Sequence, residues 1–248
     1  MKKIIILSLL LLGFVMAAQN SFLDEQKKYK RVRDALEEKN ELILKSLSDT
    51  YLNIEKLNIL FIAYKDEAIL ELYAKDKDNS SYKLLKRYDI VSNSGTLGPK
   101  SAQGDRQVPE GFYHINRFNP FSNFYLSLGI NYPNAADKLR SDAKNLGGDI
   151  FIHGSFVTIG CLPMSDDKIK EIYLYAVFAK NNNQTNIPIY IFPFKMTEKN
   201  ISKFSQKYNN DKKLLAFWQN LKEGHDKFSN TKEGLKFTTK KDGLYVFE

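Results

Sequence analysis

Asp149-Ile-Phe-Ile-His153-Gly-Ser-Phe-Val-Thr158-Ile-Gly160-Cys161-Leu-Pro163-Met164 holds the only cysteine of the 248-residue chain and one of its three histidines, eight residues apart. Ile150, Phe151 and Ile152 form an apolar run of strand type that leads into His153-Gly154. Gly160 stands immediately before Cys161, and a helix is expected from about Ser165 onward. A thiol and an imidazole on neighbouring loops, each flanked by glycine, are the parts of a nucleophilic cysteine site. The thiol must lose its proton to attack a carbonyl, and His153 is the nearby base. The turn from Gly154 to Gly160 is short enough to keep both side chains at one rim of a sheet. The N–H groups of Gly160 and Cys161 are the expected holders of a developing oxyanion. Spacing alone leaves a second reading open, in which Cys161 is a core residue and His153 a hydrogen-bonded structural histidine.

The flanking sequence limits the alternatives. The chain starts Met1-Lys2-Lys3, runs apolar from Ile4 to Leu12 and on to Val15, and reaches Ala17-Ala18 before polar Gln19-Asn20. A basic start, a short apolar middle and a small-residue exit make a secretory signal peptide over residues 1–18. The run falls short of the ~20 apolar residues that span a bilayer. Export to the periplasm or cell envelope is therefore expected, with membrane contact only through the transient signal peptide. The formal charge of +8 falls to +6 without Lys2 and Lys3, and the basic excess is spread along the chain rather than gathered in a block, which argues against a nucleic-acid partner. One cysteine forms no intramolecular disulfide, and a lone thiol in an oxidising compartment is a liability unless it is buried or used. His114, His153, His225 and Cys161 are dispersed without ligand spacing, so neither a metal site nor a cofactor is expected.

Elsewhere the pattern alternates between elements. Residues 22–47 read as one long surface helix, 19–50 being an N-terminal helical segment. Strands are expected at Asn58–Tyr64 and Ala68–Ala74 around a Lys65-Asp66-Glu67 turn, and again at Tyr82–Ser92 and Phe112–Arg117. Glycine and proline punctuate Ser94–Gly111, which marks shaped loops. A helix is expected over Ala135–Asn145 behind an Asn134 cap. Another covers Asp166–Lys180, with Ile169, Ile172, Tyr173, Ala176 and Val177 on one apolar face. Ile187–Phe194 reads as a strand placed at a sheet edge by Pro188. Thr197–Gly224 is helical, and Leu235–Thr239 with Leu244–Phe247 pair around Asp242-Gly243. The whole is an α+β fold with a mostly antiparallel β core. The boundaries are a catalytic domain over 51–196 and a C-terminal helical extension and hairpin over 197–248.

His153-Gly154 with Ile159-Gly160-Cys161-Leu-Pro-Met164 resembles the His-Gly…Ser-x-Gly-Cys signature of the L,D-transpeptidase catalytic domain, the YkuD-like superfamily. The short interval between the two residues is similar to its YafK-like branch. Ser94-Gly-Thr-Leu-Gly-Pro-Lys100, Gly104-Asp-Arg-Gln-Val-Pro-Glu-Gly-Phe-Tyr113 and Leu126-Ser-Leu-Gly-Ile-Asn-Tyr-Pro-Asn134 also resemble that branch, so the likeness covers roughly 57–194. It implies a cysteine enzyme of the bacterial envelope that acts on peptidoglycan stem peptides, with Cys161 as nucleophile and His153 as base and then acid. The implied donor is a tetrapeptide with a diamino acid at its third position. Attack at that residue's L-centre carbonyl releases the terminal D-alanine and leaves a thioester, which an amine or water then resolves. Hydrolysis of a link between the wall and an attached protein, and a non-catalytic wall-binding module, are the alternatives. Two positions depart from the pattern. Pro163 stands where much of the superfamily has arginine, and Thr158 where it has serine. Arg106 is the candidate to supply the missing positive charge to substrate, against a reading in which it makes only a surface salt bridge.

Overall fold

The computed structural model describes residues 21–248; the expected signal peptide lies outside them. In chain order the elements are α1 (Phe22–Gln26), α2 (Lys30–Asp49), β1 (Leu57–Tyr64), β2 (Ile69–Asp76), β3 (Lys83–Asp89), β4 (Gly111–Asn119), β5 (Ser127–Ile130), α3 (Ala135–Arg140), β6 (Phe151–His153), β7 (Leu162–Pro163), α4 (Ser165–Asn181), β8 (Ile187–Phe192), α5 (Glu198–Lys207), α6 (Lys212–Thr231), β9 (Phe237–Thr239) and β10 (Tyr245–Phe247). Eight strands make one sheet in the order β3-β2-β1-β8-β4-β5-β6-β7, and β9 pairs with β10 as a separate hairpin. The β1–β8 and β6–β7 pairs are parallel and the others antiparallel, so the α+β, mostly antiparallel expectation holds.

Both faces of β1 are covered, which explains its nearly continuous apolar run. Leu57, Ile59, Phe61 and Ala63 join a core with α2 and α4, whereas Leu60, Ile62 and Tyr64 join a second core with α5, α6 and the hairpin. The sheet curls far enough for the chain after β3 to meet its opposite edge, where Val91 N–H donates to the Pro163 carbonyl at 2.9 Å. α4 lies inside this curl. Residues 171–179 are buried without interruption, so this part of the helix is buried all round rather than on the one face that its periodicity suggested. Its outer side is sealed by α1 and α2, with Tyr173 Oη donating to Gln26 Oε1 at 2.7 Å.

Several expectations need correcting. The N-terminal helix is two helices, because Tyr29 is extended and its ring packs edge-on against Phe121 at 4.8 Å. Residues 197–224 are likewise two helices, the second running on to Thr231 behind an Asp211 cap. α3 ends at Arg140, whose guanidinium bonds to Asp137 and to the Gly243 carbonyl. β8 is an interior strand between β1 and β4, not an edge. Pro188 is tolerated because it precedes the first registered pair with β1, Phe61–Ile189.

A buried ion pair ties the glycine-rich loops to this frame. Lys65 Nζ donates to Glu110 Oε1 (2.8 Å) and to the carbonyls of Gly98 (2.8 Å) and Val108 (3.0 Å), which uses all three of its protons. Glu110 also accepts from Gly98 N (2.7 Å) and from Trp218 Nε1 (2.9 Å), joining β1, the loop and α6 at one carboxylate. The two side chains are 7% and 0% exposed. Removing one partner strands a buried charge, so Glu110→Ala is expected to cost about 3–5 kcal/mol in denaturant unfolding. A loss below about 1 kcal/mol would show that the network is not structural in this way.

Candidate active site

β6 is three residues long and β7 two, yet their register determines the site. Ile152 pairs with Leu162 and His153 with Pro163, in parallel, and Met164 N–H closes the pair on the His153 carbonyl at 2.7 Å. Parallel neighbours normally need a crossover of a dozen or more residues. Here the return is made within 154–161 by unusual backbone. Gly154 is so tightly packed that a Cβ would lie 2.5 Å from Asp166 Oδ1 and 2.7 Å from the Phe124 carbonyl. Gly160 has φ +134 and Ser155 φ +60. Ser155 N–H is held by Asp166 Oδ1 at 2.7 Å, which fastens the turn to the first residues of α4.

Ile150, Ile152, Leu162 and Met164 face the core that contains α4. Strand alternation therefore sends His153 and Cys161 to the opposite face, Cys161 standing just ahead of β7 and two positions from His153 along the register. The β6–β7 register relates these two, whereas His114 lies apart on β4 and His225 on α6, where His225 sits edge-on to Phe192 at 5.3 Å.

His153 is 1% exposed. Its Nδ1 lies 2.5 Å from the Gly154 carbonyl, and its ring stacks on Phe124 at 4.6 Å. A carbonyl only accepts, so Nδ1 carries the proton and Nε2 keeps its lone pair for a base. The group that orients His153 is thus a backbone carbonyl, not a carboxylate. Burial holds the imidazole below its usual titration range, and the bond to Gly154 partly opposes this. Cys161 is half-buried, and its Sγ donates to the Asp149 carbonyl at 3.6 Å; no hydrogen bond joins it to His153 among the described residues. Burial pushes the thiol up, an effect to which the Asp149 carboxylate adds, while a Phe151 amide and the Lys100 ammonium oppose it. Both shifts work against the charged forms of the two groups.

The expected oxyanion donors are already engaged. Cys161 N and Gly160 N both donate to Thr158 Oγ1, at 2.8 and 3.2 Å, so neither is a free donor here. The reason is local: a threonine hydroxyl accepts readily from amides two and three residues on.

Cys161 opens into a cleft of about 560 Å³ whose other walls include Lys100, Gln103, Arg106, the Gly147-Gly148 turn and Ile159. The loop carrying Arg106 is built around Asp105. That carboxylate accepts from the N–H groups of Ser101 (2.8 Å), Ala102 (3.0 Å) and Gln107 (3.0 Å) and from Lys100 Nζ (2.6 Å). Arg106 itself is exposed, has φ +58, and makes no ion pair or hydrogen bond among the described residues. The surface salt bridge considered for it is therefore not formed. Asp149 is committed to Arg117, whose Nη2 lies 2.9 Å from its carboxylate and whose guanidinium sits over Phe151. Lys100, Phe124 and Arg117 carried no functional signal in the sequence. Thr158 stood out only as the family's serine position, and its short spacing from Cys161 is what could have shown its bonds to the turn.

A curled, mostly antiparallel sheet around a buried helix is an L,D-transpeptidase-type fold. The chain belongs to that family: the sequence model of the L,D-transpeptidase catalytic domain matches residues 58–191, more than half of its length. It is 38% identical over 172 residues to YafK of Escherichia coli K12, a protein whose name places it among the L,D-transpeptidases. That match takes in 68% of this chain and 66% of the relative, so the chain spans just under two thirds of the relative's length. Among solved structures it resembles the helical cell shape determining protein Pgp2 of Campylobacter jejuni (19% identity, TM-score 0.44, 74% of this chain and 73% of that one). It also resembles Bd1075 of Bdellovibrio bacteriovorus (18%, 0.39, 73% and 74%).

The protonation states are open to direct test. Because burial raises the Cys161 thiol, the thiolate fraction at neutral pH is below that of a free cysteine, and the alkylation rate by iodoacetamide should rise with a midpoint above ~8.5. The His153 ring, followed by NMR, should titrate below ~6.5. A thiol midpoint well under ~8 would contradict a thiol raised by burial.

Proposed function

We propose that this protein is an exported cell-wall enzyme that acts on peptidoglycan stem peptides through a thioester on Cys161. The observation that supports the reading is the β6–β7 register, in which the chain's one thiol stands two positions from His153, whose Nδ1 is bonded to the Gly154 carbonyl so that Nε2 keeps its lone pair. His153 takes the thiol proton as Sγ attacks the peptide carbonyl, then returns it to the departing amine. An amine acceptor gives transpeptidation and water gives carboxypeptidation, with the same two residues. Family membership supports a wall enzyme, and the basic, apolar and small-residue order of residues 1–18 supports export.

Substrate recognition is assigned to the cleft. Arg106, held in a left-handed conformation by a loop that satisfies its own polar groups, keeps its guanidinium free of partners in the cleft wall among the described residues. Its planar donors suit a substrate carboxylate, and Arg106 takes the part that Pro163 cannot play. The Pro163 carbonyl is instead used to close the sheet. The Gly160 and Cys161 amides have no part in this reading while Thr158 holds them.

A second reading, a non-catalytic wall-binding module, draws on the missing Sγ–imidazole hydrogen bond and on the burial that pushes the thiol up. One experiment separates the two. Wild type and Cys161→Ala are incubated with purified muropeptides, with and without an added amine acceptor. Release of D-alanine, altered cross-linking or cleavage of a wall–protein link, each lost by at least ~10³-fold in the variant, is expected. Identical product profiles for both proteins would leave only the binding module.

A further inference from the structure

Of the four residues 156–159, Phe156, Val157 and Ile159 are exposed by 69%, 56% and 78%, and Thr158 alone turns inward. A hydroxyl has one proton and two lone pairs. Thr158 uses all three on the nucleophile's turn: Oγ1 donates to the Cys161 carbonyl at 2.8 Å and accepts from Cys161 N at 2.8 Å and Gly160 N at 3.2 Å. One side chain therefore grips the peptide units on both sides of Cys161. The residue before it, Gly160, sits at φ +134, and registered pairing with β6 begins only at Leu162. Among the described residues no other side chain holds the backbone of Gly160 or Cys161.

We infer that Thr158 is a positioning residue for Cys161. The three bonds set the direction of the Cα–Cβ bond, and so where Sγ lies relative to His153 Nε2. This role rests on the proposed catalytic use of Cys161. It is distinct from Asp166, which fastens the histidine end of the same turn through Ser155. The three apolar neighbours in solvent contribute nothing to the grip, so loss of the hydroxyl leaves the turn without a substitute.

Two variants separate positioning from a general effect on folding. Thr158→Val keeps the shape and removes the three bonds; Thr158→Ser keeps the hydroxyl and removes a methyl. With muropeptide substrate, Thr158→Val is expected to lower kcat by about 10–100-fold with KM changed by less than about 3-fold, because only the alignment of the attacking atom is lost. Thr158→Ser should remain within about 3-fold of wild type. The pH profile of Cys161 alkylation reads the same thing without peptidoglycan: the midpoint should move in the valine variant and stay in the serine variant. If wild type is inert on muropeptides, the proposed reaction fails while the alkylation profile still judges Thr158. Unchanged or faster turnover in Thr158→Val, an equal loss in both variants, or an unmoved alkylation profile in the valine variant would overturn the inference.

Discussion

Everything at the site depends on one short parallel pairing, Ile152 with Leu162 and His153 with Pro163. Two strands of three and two residues have little cohesion of their own, so the pairing is maintained from outside. Below it, Ile152 and Leu162 are fixed in the core around α4. At its end, Met164 N–H reaches back to the His153 carbonyl, and Asp166 fastens the Ser155 amide. On the outer edge, the Pro163 carbonyl is taken by Val91, which ties β7 to the far side of the curled sheet. A one-residue slip would turn either His153 or Cys161 into the core, which is why the surroundings are so tightly determined.

The same frame sets the surroundings of His153 and Cys161. Burial disfavours both the imidazolium and the thiolate. Sγ rests on a backbone carbonyl rather than on the imidazole, and the neighbouring amides are held by Thr158. In the proposed reaction, entry of substrate supplies the differential interactions that shift this arrangement. The cleft presents Arg106 on one wall, and the Lys100–Asp105 pair behind it holds the loop in shape.

How far the sequence reveals this depends on whether the signal is local. The alternating apolar residues of β1, the Asn134 cap and the His153/Cys161 interval are visible because each is set by neighbours a few positions away. Pro188 misleads because proline's cost to a ladder depends on which side of the strand is paired, and that side is decided by β1, over a hundred residues earlier. β5 is overlooked because Ser127-Leu-Gly-Ile130 is four residues with a glycine; its role appears only when β4 and β6 pair on its two sides. α4 reads as one-faced until α2 is laid over it. Lys65 and Glu110 look like ordinary surface charges, and only the fold sets them 2.8 Å apart in the interior. Arg106 stood in view as a charge, but its freedom from partners is a property of the loop that Asp105 builds.

The claim at the centre of this account is that Cys161, beside His153, becomes acylated by a stem peptide. Intact-mass spectrometry of the protein mixed with a tetrapeptide donor and quenched in acid tests it most directly. The account predicts an adduct equal to the donor less its released terminal residue, mapped to Cys161, absent from Cys161→Ala and slower to form in His153→Ala. No adduct under turnover conditions, or one carried by another residue, would contradict it.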